Sequence, residues 1–351
     1  MTQLRAVQVL GGGGAHGSAH VRSLTAGLVA RGLHVTVCAP EETGRAYDFG
    51  GAGARVVPSP ALRAACADAD LVHAHGLHAA LRAALALRGS RTPLVVTWHH
   101  RAHADGARAQ VLRLLERRVV RAASVVLATS SELVDAARHR GARDARLAPV
   151  AIPAPRPAPG ESKARAELGA MGRPLVIAVG SLYPGRGYDT LLDAARAWRS
   201  LEPLPLLVVA GEGPERAALQ RRIDAEELPV RLLGRRTDVA DLLAVADLAV
   251  VPSRWEARSV LAQEALHAGV PLVATAVGGT PDLVGDAALL VPADDPGALA
   301  GAVAGLLADP EERARLALRG TAQAAAWPTE HDTVAQVLSV YDELTAYGHR
   351  G

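Results

Sequence analysis

Two glutamates, Glu256 and Glu264, lie eight residues apart in VPSRWEARSVLAQEALHAG, where an apolar run ends at Pro252 and a helical pattern begins. If helical residues start near Arg258, the amides of Arg258, Ser259 and Val260 have no intrahelical acceptor and are open to an anion. Glu264, further along, is placed to accept hydrogen bonds from sugar hydroxyls, although two glutamates on an Ala-rich helix also suit plain solvation. A second motif is Gly12-x-Gly14-x-x-Gly17, which follows an apolar run and precedes a helical one. That is the setting in which glycines let backbone N–H groups reach a phosphate. Glu41 stands about where a dinucleotide site keeps its ribose partner, but Pro40 ends the strand before it. The motif is open to three readings: a nicotinamide site, a turn with no ligand, or a backbone loop facing a ligand crevice. A third group is histidine, nine of whose 13 copies fall in residues 1–103. His73, His75 and His78 accompany one apolar run and His99, His100 and His103 the next. Imidazole is a common zinc ligand and His73-x-His75 suits a strand, but no Cys or carboxylate accompanies the cluster at ligand spacing.

Short apolar runs of the kind that form buried parallel strands alternate with helical periods along nearly the whole chain. Strands are expected at 5–10, 33–39, 55–57, 71–73, 94–97, 124–128 and 146–148, then at 175–179, 206–210, 231–233, 248–251, 272–274 and 288–291. The fold class is therefore α/β, with helices on both faces of parallel sheets, and two such units joined by a stiff linker imply a cleft between them. The expected domains are 1–152, a Pro-rich linker at 153–160, 161–328, and a C-terminal helix at 329–351 that packs back towards the first domain. Carboxyl ends of such strands are where open α/β sheets take ligands, so both histidine groups fall where chemistry is expected.

Totals exclude little. The 351 residues carry Lys+Arg 38 against Asp+Glu 36, a net +2, which gives no sign of a nucleic-acid binder. Lys163 is the only lysine and asparagine is absent, a composition we attribute to a G+C-rich bacterial genome. Residues 1–152 nevertheless hold 19 Arg and 10 acids, a net +9, while residues 153–351 hold 19 cations and 26 acids, a net −7. The segment QVLRLLERRVVR at 110–121 sets Leu112, Leu115 and Val119 in one stripe and Arg113, Arg117 and Arg121 in another. It is the candidate for contact with an anionic membrane, against the alternative of an ordinary surface helix whose polar face also carries Glu116. Cys38 and Cys66 fit no disulfide framework, the N-terminus has no signal-peptide pattern, and no run of 18 apolar residues occurs. A cytoplasmic location, at most peripheral at the inner membrane face, is expected.

Glu256-x7-Glu264 and the following EALHAGVPLVATAVGGTPDLV resemble the signature region of the retaining GT-B glycosyltransferases of family 4, the group 1 glycosyl transferases. Other landmarks of that family occur in order: HVRSLTAGLVARGLHVTV after the glycine loop, DLVHAH at 70–75, Thr97-Trp98-His99, GSLYPGRG at 180–187, VVAGEGPE at 208–215, LLGRRTDVADLLAVAD at 232–247 and a closing WPTEHDTVAQVLSVYDEL.

The resemblance implies the GT-B architecture, two Rossmann-like domains with parallel sheets facing across the cleft, the donor held mainly by the second and the acceptor by the first. It also implies transfer of a hexose, with retention and without a catalytic metal or cofactor, from a UDP- or GDP-linked sugar to a lipid, glycan or small-molecule acceptor. It assigns Glu264 to the donor ribose, Glu256 and His99 to the hexose, Arg258, Ser259 and Val260 to the diphosphate or sugar, and Gly234 and Arg235 to the base. Arg186 takes the place of the family's diphosphate-binding Lys, keeping the charge but not the point-like shape. Gly14, Gly17 and His20 belong to the first domain's ligand loop, and His75 and His100 are acceptor-side candidates. Ser181 stands where the family usually has an Arg, and Ala257-Arg258-Ser259 replaces Gly-Phe-Gly. Other readings are a sugar-nucleotide 2-epimerase of the same architecture, an NAD(P)-dependent oxidoreductase resting on Gly12–Gly17, and a non-catalytic nucleotide-sugar binder.

Overall fold

A computed structural model describes residues 3–11, 15–99, 106–152, 154–155 and 161–348; Gly12, Gly14, His100 and His103, with most of the Pro-rich linker, lie outside them. The chain forms two compact units, residues 1–151 with 328–351, and residues 152–327.

In the first unit, strands β1 (Arg5–Leu10), β2 (His34–Ala39), β3 (Arg55–Pro58), β4 (Leu71–His75), β5 (Leu94–Trp98), β6 (Val125–Ala128) and β7 (Ala145–Leu147) make one parallel sheet in the order β3-β2-β1-β4-β5-β6-β7. Helices α1 (Ala15–Val29), α2 (Glu41–Ala46), α3 (Leu62–Ala67), α4 (Leu77–Ala86), α5 (Gly106–Ala122) and α6 (Ser131–His139) connect them. The strands are almost wholly apolar because both faces are covered, and β4 and β5 are buried at every position.

In the second unit, after α7 (Glu161–Leu168), strands β8 (Leu175–Val179), β9 (Leu206–Ala210), β10 (Val230–Gly234), β11 (Leu248–Val251), β12 (Leu272–Thr275) and β13 (Leu289–Val291) form a second parallel sheet ordered β10-β9-β8-β11-β12-β13. Its helices are α8 (Tyr188–Ala197), α9 (Arg216–Ala225), α10 (Val239–Ala244), α11 (Val260–His267), α12 (Thr280–Val284), α13 (Pro296–Ala308) and α14 (Pro310–Ala325). The last helix, α15 (Glu330–Gly348), belongs to the first unit. Its apolar stripe, Val334, Val337, Val340 and Tyr341, is buried in the core formed by α1, β1 and β2. Arg146 on β7 clamps it with two bonds to Glu343, at 3.1 and 2.8 Å. Gly27 on α1 is required there, since a Cβ at that position would lie 2.5 Å from a Val334 methyl.

Strand ends fall within one or two residues of the apolar runs. The difference that matters is β4, which continues to His75 through pairing of Ala74 and His75 with Val96 and Thr97. In each sheet the strand order reverses once, between β1 and β4 and between β8 and β11, and the carboxyl ends flanking those points are the positions that bind ligands in such sheets.

Candidate functional site

In the second unit the loops after β8 and β11 meet at their backbones. Arg254 N donates to Gly185 O at 2.9 Å, and the Arg254 side chain binds Asp189 at 2.7 Å and Asp294 at 2.6 Å. Gly187 (φ +69°) lies against Pro252, whose carbonyl oxygen would sit 1.9 Å from an added Cβ. Gly278 (φ +55°) stands in the same relation, at 2.0 Å, to the Glu256 carbonyl. Both positions exclude any side chain, and so hold Arg186 and Glu256 beside one another. Arg186 donates to Glu256 Oε1, which also accepts the Ser253 hydroxyl at 3.0 Å. Tyr188, buried at the first position of α8, is pushed to a higher pKa mainly by burial, with Arg186 opposing and the Glu256 charge adding to it. The loops after β8, β9 and β10 are tied together as well: Leu182 N donates to Glu212 O at 2.9 Å and Gly211 N to Gly234 O at 2.8 Å. Ser181 lies half-buried at this edge.

Helix α11 starts later than expected. Its first residue is Val260, and the Ser259 hydroxyl caps it by accepting from Ala262 N at 3.3 Å. The amides ahead of the capped one are therefore those of Val260 and Leu261, and Arg258 precedes the helix. The Arg258 side chain is drawn into packing: its guanidinium lies 5.3 Å from the Trp327 ring centroid and its Nε donates to Gln263 Oε1 at 3.1 Å. Burial lowers its pKa to about 10. Its charge is thus directed at Trp327, whereas Arg235, just past β10, is exposed and Arg236 is bound to Asp238. Glu264 is half-buried, its carboxylate has no hydrogen-bond partner among the described residues, and burial pushes its pKa up to about 7. A carboxylate held out of water without a donor is built to receive one.

In the first unit the histidines separate by role. His73 is inside β4 and fully buried, and Ala74 and His75 continue the β4–β5 pairing past it, two residues beyond the expected end of the strand. It binds the Tyr341 hydroxyl through Nδ1 at 2.7 Å and Thr97 Oγ1 through Nε2 at 2.6 Å. His75 Nε2 donates to Gln8 Oε1 at 2.7 Å, and His99, just past β5, sets its Nε2 3.5 Å from His75 Nδ1. His20 on α1 lies edge-on to both, with ring centroids 5.9 Å from His75 and 5.6 Å from His99. Burial lowers the pKa of His20 to about 4 and of His73 to about 3, and holds His75 well below the usual range. His78 is exposed on α4. Among the described residues no three His, Cys, Asp or Glu side chains are arranged to hold a metal ion. The dinucleotide pattern lacks its packing contacts: no described atom lies within 4 Å of a Cβ placed at Gly17, and Glu41 opens α2, exposed and bound to Arg45.

Gln8 and Tyr341 were not among the expected site residues. A lone glutamine in the apolar strand RAVQVL and a tyrosine on the apolar stripe of VLSVYDEL were the available signals.

Helix α5 buries Val119 and Val120 and exposes Val111, Leu114, Arg113, Arg117, Arg118 and Arg121. Glu116 does not balance those arginines on the surface as its place in the sequence suggested. It is buried and bound by Arg140 at 2.6 Å, with Arg140 also lying over the Trp98 ring. No helix among the described residues is long and apolar enough to cross a membrane.

Two family models match: glycosyl transferases group 1 over residues 161–323 and a glycosyl transferase 4-like domain over residues 17–153. A D-inositol 3-phosphate glycosyltransferase of Corynebacterium efficiens is 32% identical over 307 residues, covering 79% of this chain and 72% of that protein. An alpha-D-kanosaminyltransferase of Streptomyces kanamyceticus is 30% identical over 248 residues, covering 67% of this chain and 64% of that protein. The structure of Anabaena HepE in complex with UDP-glucose superposes with a TM-score of 0.84 at 20% identity, over 97% of this chain and 100% of that one.

Proposed function

The chain belongs to the group 1 glycosyl transferases, and from that membership we propose that it is a retaining hexosyltransferase that moves a sugar from a nucleoside diphosphate sugar to an acceptor. The observation that carries this reading is the grouping at the carboxyl edge of the second sheet. It comprises a paired Arg186 and Glu256, the uncapped amides of α11, and a half-buried Glu264 without a donor among the described residues. These suit, in turn, the diphosphate and hexose, the phosphate oxygens, and the ribose hydroxyls.

In the proposed step the anomeric C–O bond to the diphosphate breaks and its electron pair passes to the departing phosphate oxygen. The acceptor oxygen bonds to the anomeric carbon on the same face and its proton passes to that phosphate. Arg186 and the helix amides stabilise the charge as it develops, without a metal ion. A double displacement would need a carboxylate nucleophile beside the sugar. Glu256, the carboxylate that the family assignment sets at the hexose, is held by Arg186 and by the Ser253 hydroxyl, which favours front-face transfer over its attack on the sugar. UDP-glucose, the ligand of the Anabaena neighbour, is the first donor to test, and phosphorylated cyclitols join the acceptor panel because of the inositol phosphate relatives and the +9 balance of residues 1–152.

The test is release of nucleoside diphosphate from a panel of donors and acceptors, with the anomeric configuration of the product read by NMR and the reaction repeated in EDTA. An inverted product, or isomerisation of the donor without an acceptor, would overturn the reading. A second reading concerns place: the five exposed arginines and two exposed apolar side chains of α5, Arg108, Arg113, Arg117, Arg118, Arg121, Val111 and Leu114, suit the surface of an anionic membrane.

A further inference from the structure

The ion pair of Arg186 with Glu256 joins two groups that the family assignment gives to different parts of one ligand, the diphosphate and the hexose. The backbone that carries Arg186 is fixed. Its N–H closes a turn on Tyr183 O at 3.2 Å, Arg254 N holds the preceding Gly185 O at 2.9 Å, and the following Gly187 lies against the Pro252 carbonyl. What can move is the Arg186 side chain, the more exposed of the pair. Among the described residues Glu256 Oε1 has two donors, Arg186 and the buried Ser253 hydroxyl. The nearby cations are engaged elsewhere: Arg254 binds Asp189 and Asp294, and the Arg258 guanidinium lies over the Trp327 ring. A diphosphate that arrives without a sugar therefore meets a cost. Drawing Arg186 onto a phosphate strands a mostly buried carboxylate; letting the guanidinium bridge both sets that carboxylate beside the phosphates, like charge against like. A hexose removes the cost, because its hydroxyls donate to Glu256 in the place that Arg186 gives up.

We propose that Glu256 is the residue by which the site tells a sugar nucleotide from the bare nucleoside diphosphate, competing with the diphosphate for Arg186 whenever no hexose is present. This rests on the assignments of Arg186 to the diphosphate and Glu256 to the hexose, and adds to them an opposition between the two subsites. Discrimination is built against the wrong ligand, by a charge left unpaired, and not by a further contact to the right one. The same opposition acts after transfer: once the hexose has passed to the acceptor, the pair re-forms and favours release of the product diphosphate. Ser253, bound to the carboxylate throughout, limits the cost of each exchange.

Calorimetric titration without acceptor measures the affinities of UDP and UDP-glucose, and of GDP and GDP-mannose, the pair that the parent binds being followed in the variants. Glu256→Gln keeps the shape of the side chain and removes its charge. The bare diphosphate should then bind about tenfold or more tighter than to the parent, at the low end of the couplings measured between close charges. The sugar nucleotide should gain much less, or weaken, because the amide is a poorer acceptor for its hydroxyls. Ser253→Ala leaves the carboxylate with Arg186 alone and should move the bare diphosphate the other way, to weaker binding. Opposite signs from two changes at one oxygen are not what damage to the loop would produce. An unchanged or weaker affinity for the bare diphosphate in Glu256→Gln overturns the proposal. A parent that binds neither pair overturns the family assignments first, and the proposal with them.

Discussion

Arg186, on the loop after β8, donates to the carboxylate of Glu256, on the loop after β11, and Ser253 donates to the same oxygen. The Glu256 side chain is 15% exposed and that of Arg186 38%, so the carboxylate is the costlier partner to strand. Arg186→Ala should lower kcat/KM by about 100-fold or more, the usual loss when a group that stabilises the departing charge is deleted. Arg186→Lys should recover part of it, since an ammonium supplies charge without the planar fork. Steady-state kinetics with the best donor decides it; Arg186→Ala within about twofold of the parent enzyme would take Arg186 out of the chemistry.

Glu264 titrates near pH 7 because burial disfavours its charge. If the carboxylate receives the ribose hydroxyls, affinity for the nucleoside diphosphate rises between about pH 6 and about pH 8, and Glu264→Gln binds weakly at both. The free protein should behave in the opposite sense. The folded pKa lies above the unfolded one, so the cost appears as pH rises from about 4.5 to 7 and is complete above, on the order of 2 kcal/mol after allowance for its exposed part. Calorimetric titration and urea melts of parent and Glu264→Gln check both halves; pH-independent binding by the parent refutes the ribose contact.

The buried imidazoles make the first unit sensitive to acid. An unfolded histidine takes its proton near pH 6.5, whereas His20 resists until about 4 and His73 until about 3. Their stabilisation is complete above pH 6.5 and is lost as pH falls through that window, about 2 kcal/mol for each by roughly pH 5. Urea midpoints at about pH 7 and pH 5 should therefore differ steeply, and His20→Gln should flatten the slope.

If α5 lies on a membrane, the parent protein sediments with anionic vesicles and is released by salt. Arg113→Glu with Arg117→Glu should weaken binding by more than about tenfold, at roughly 1 kcal/mol for each arginine removed. Equal sedimentation of the two proteins would show that the helix serves only its own unit.

Gly187→Ala should be among the most damaging single changes. It combines a left-handed backbone with a Cβ driven onto the Pro252 carbonyl. Loss of several kcal/mol from the second unit, or of the donor site with the fold retained, is expected in thermal and binding assays. A stable variant with unchanged affinity would mean that the loop is not held by this contact.

The strands of both sheets follow from features a sequence displays, apolar runs of strand length separated by helical periods with turn residues between, whereas their order within each sheet is set by long-range pairing. The signature glutamates were legible for the same reason, since their spacing survives without knowledge of rotamers. The direction of the Arg258 side chain was not, because it depends on Trp327, which lies 69 residues further along and shares no pattern with it. Helix α11 began later than the periodicity placed it because the Ser259 hydroxyl supplies a cap at that position. Glu116 looked like surface charge beside four arginines, and only its pairing with Arg140, 24 residues away, turns it inward. Gln8 and Tyr341, separated by 333 residues, meet through the return of α15 to the first unit.

That return has a consequence for how the protein is made. Val334, Val337, Val340 and Tyr341 complete the core of the first unit, yet they leave the ribosome only after the whole second unit. The second unit is synthesised whole before them and is free to fold first, reversing the usual order in which the N-terminal domain leads. Until α15 is made, the emerging first unit carries an unfilled apolar groove, and a chain cut before Glu330 would keep the second unit while depriving His73 of its Tyr341 partner.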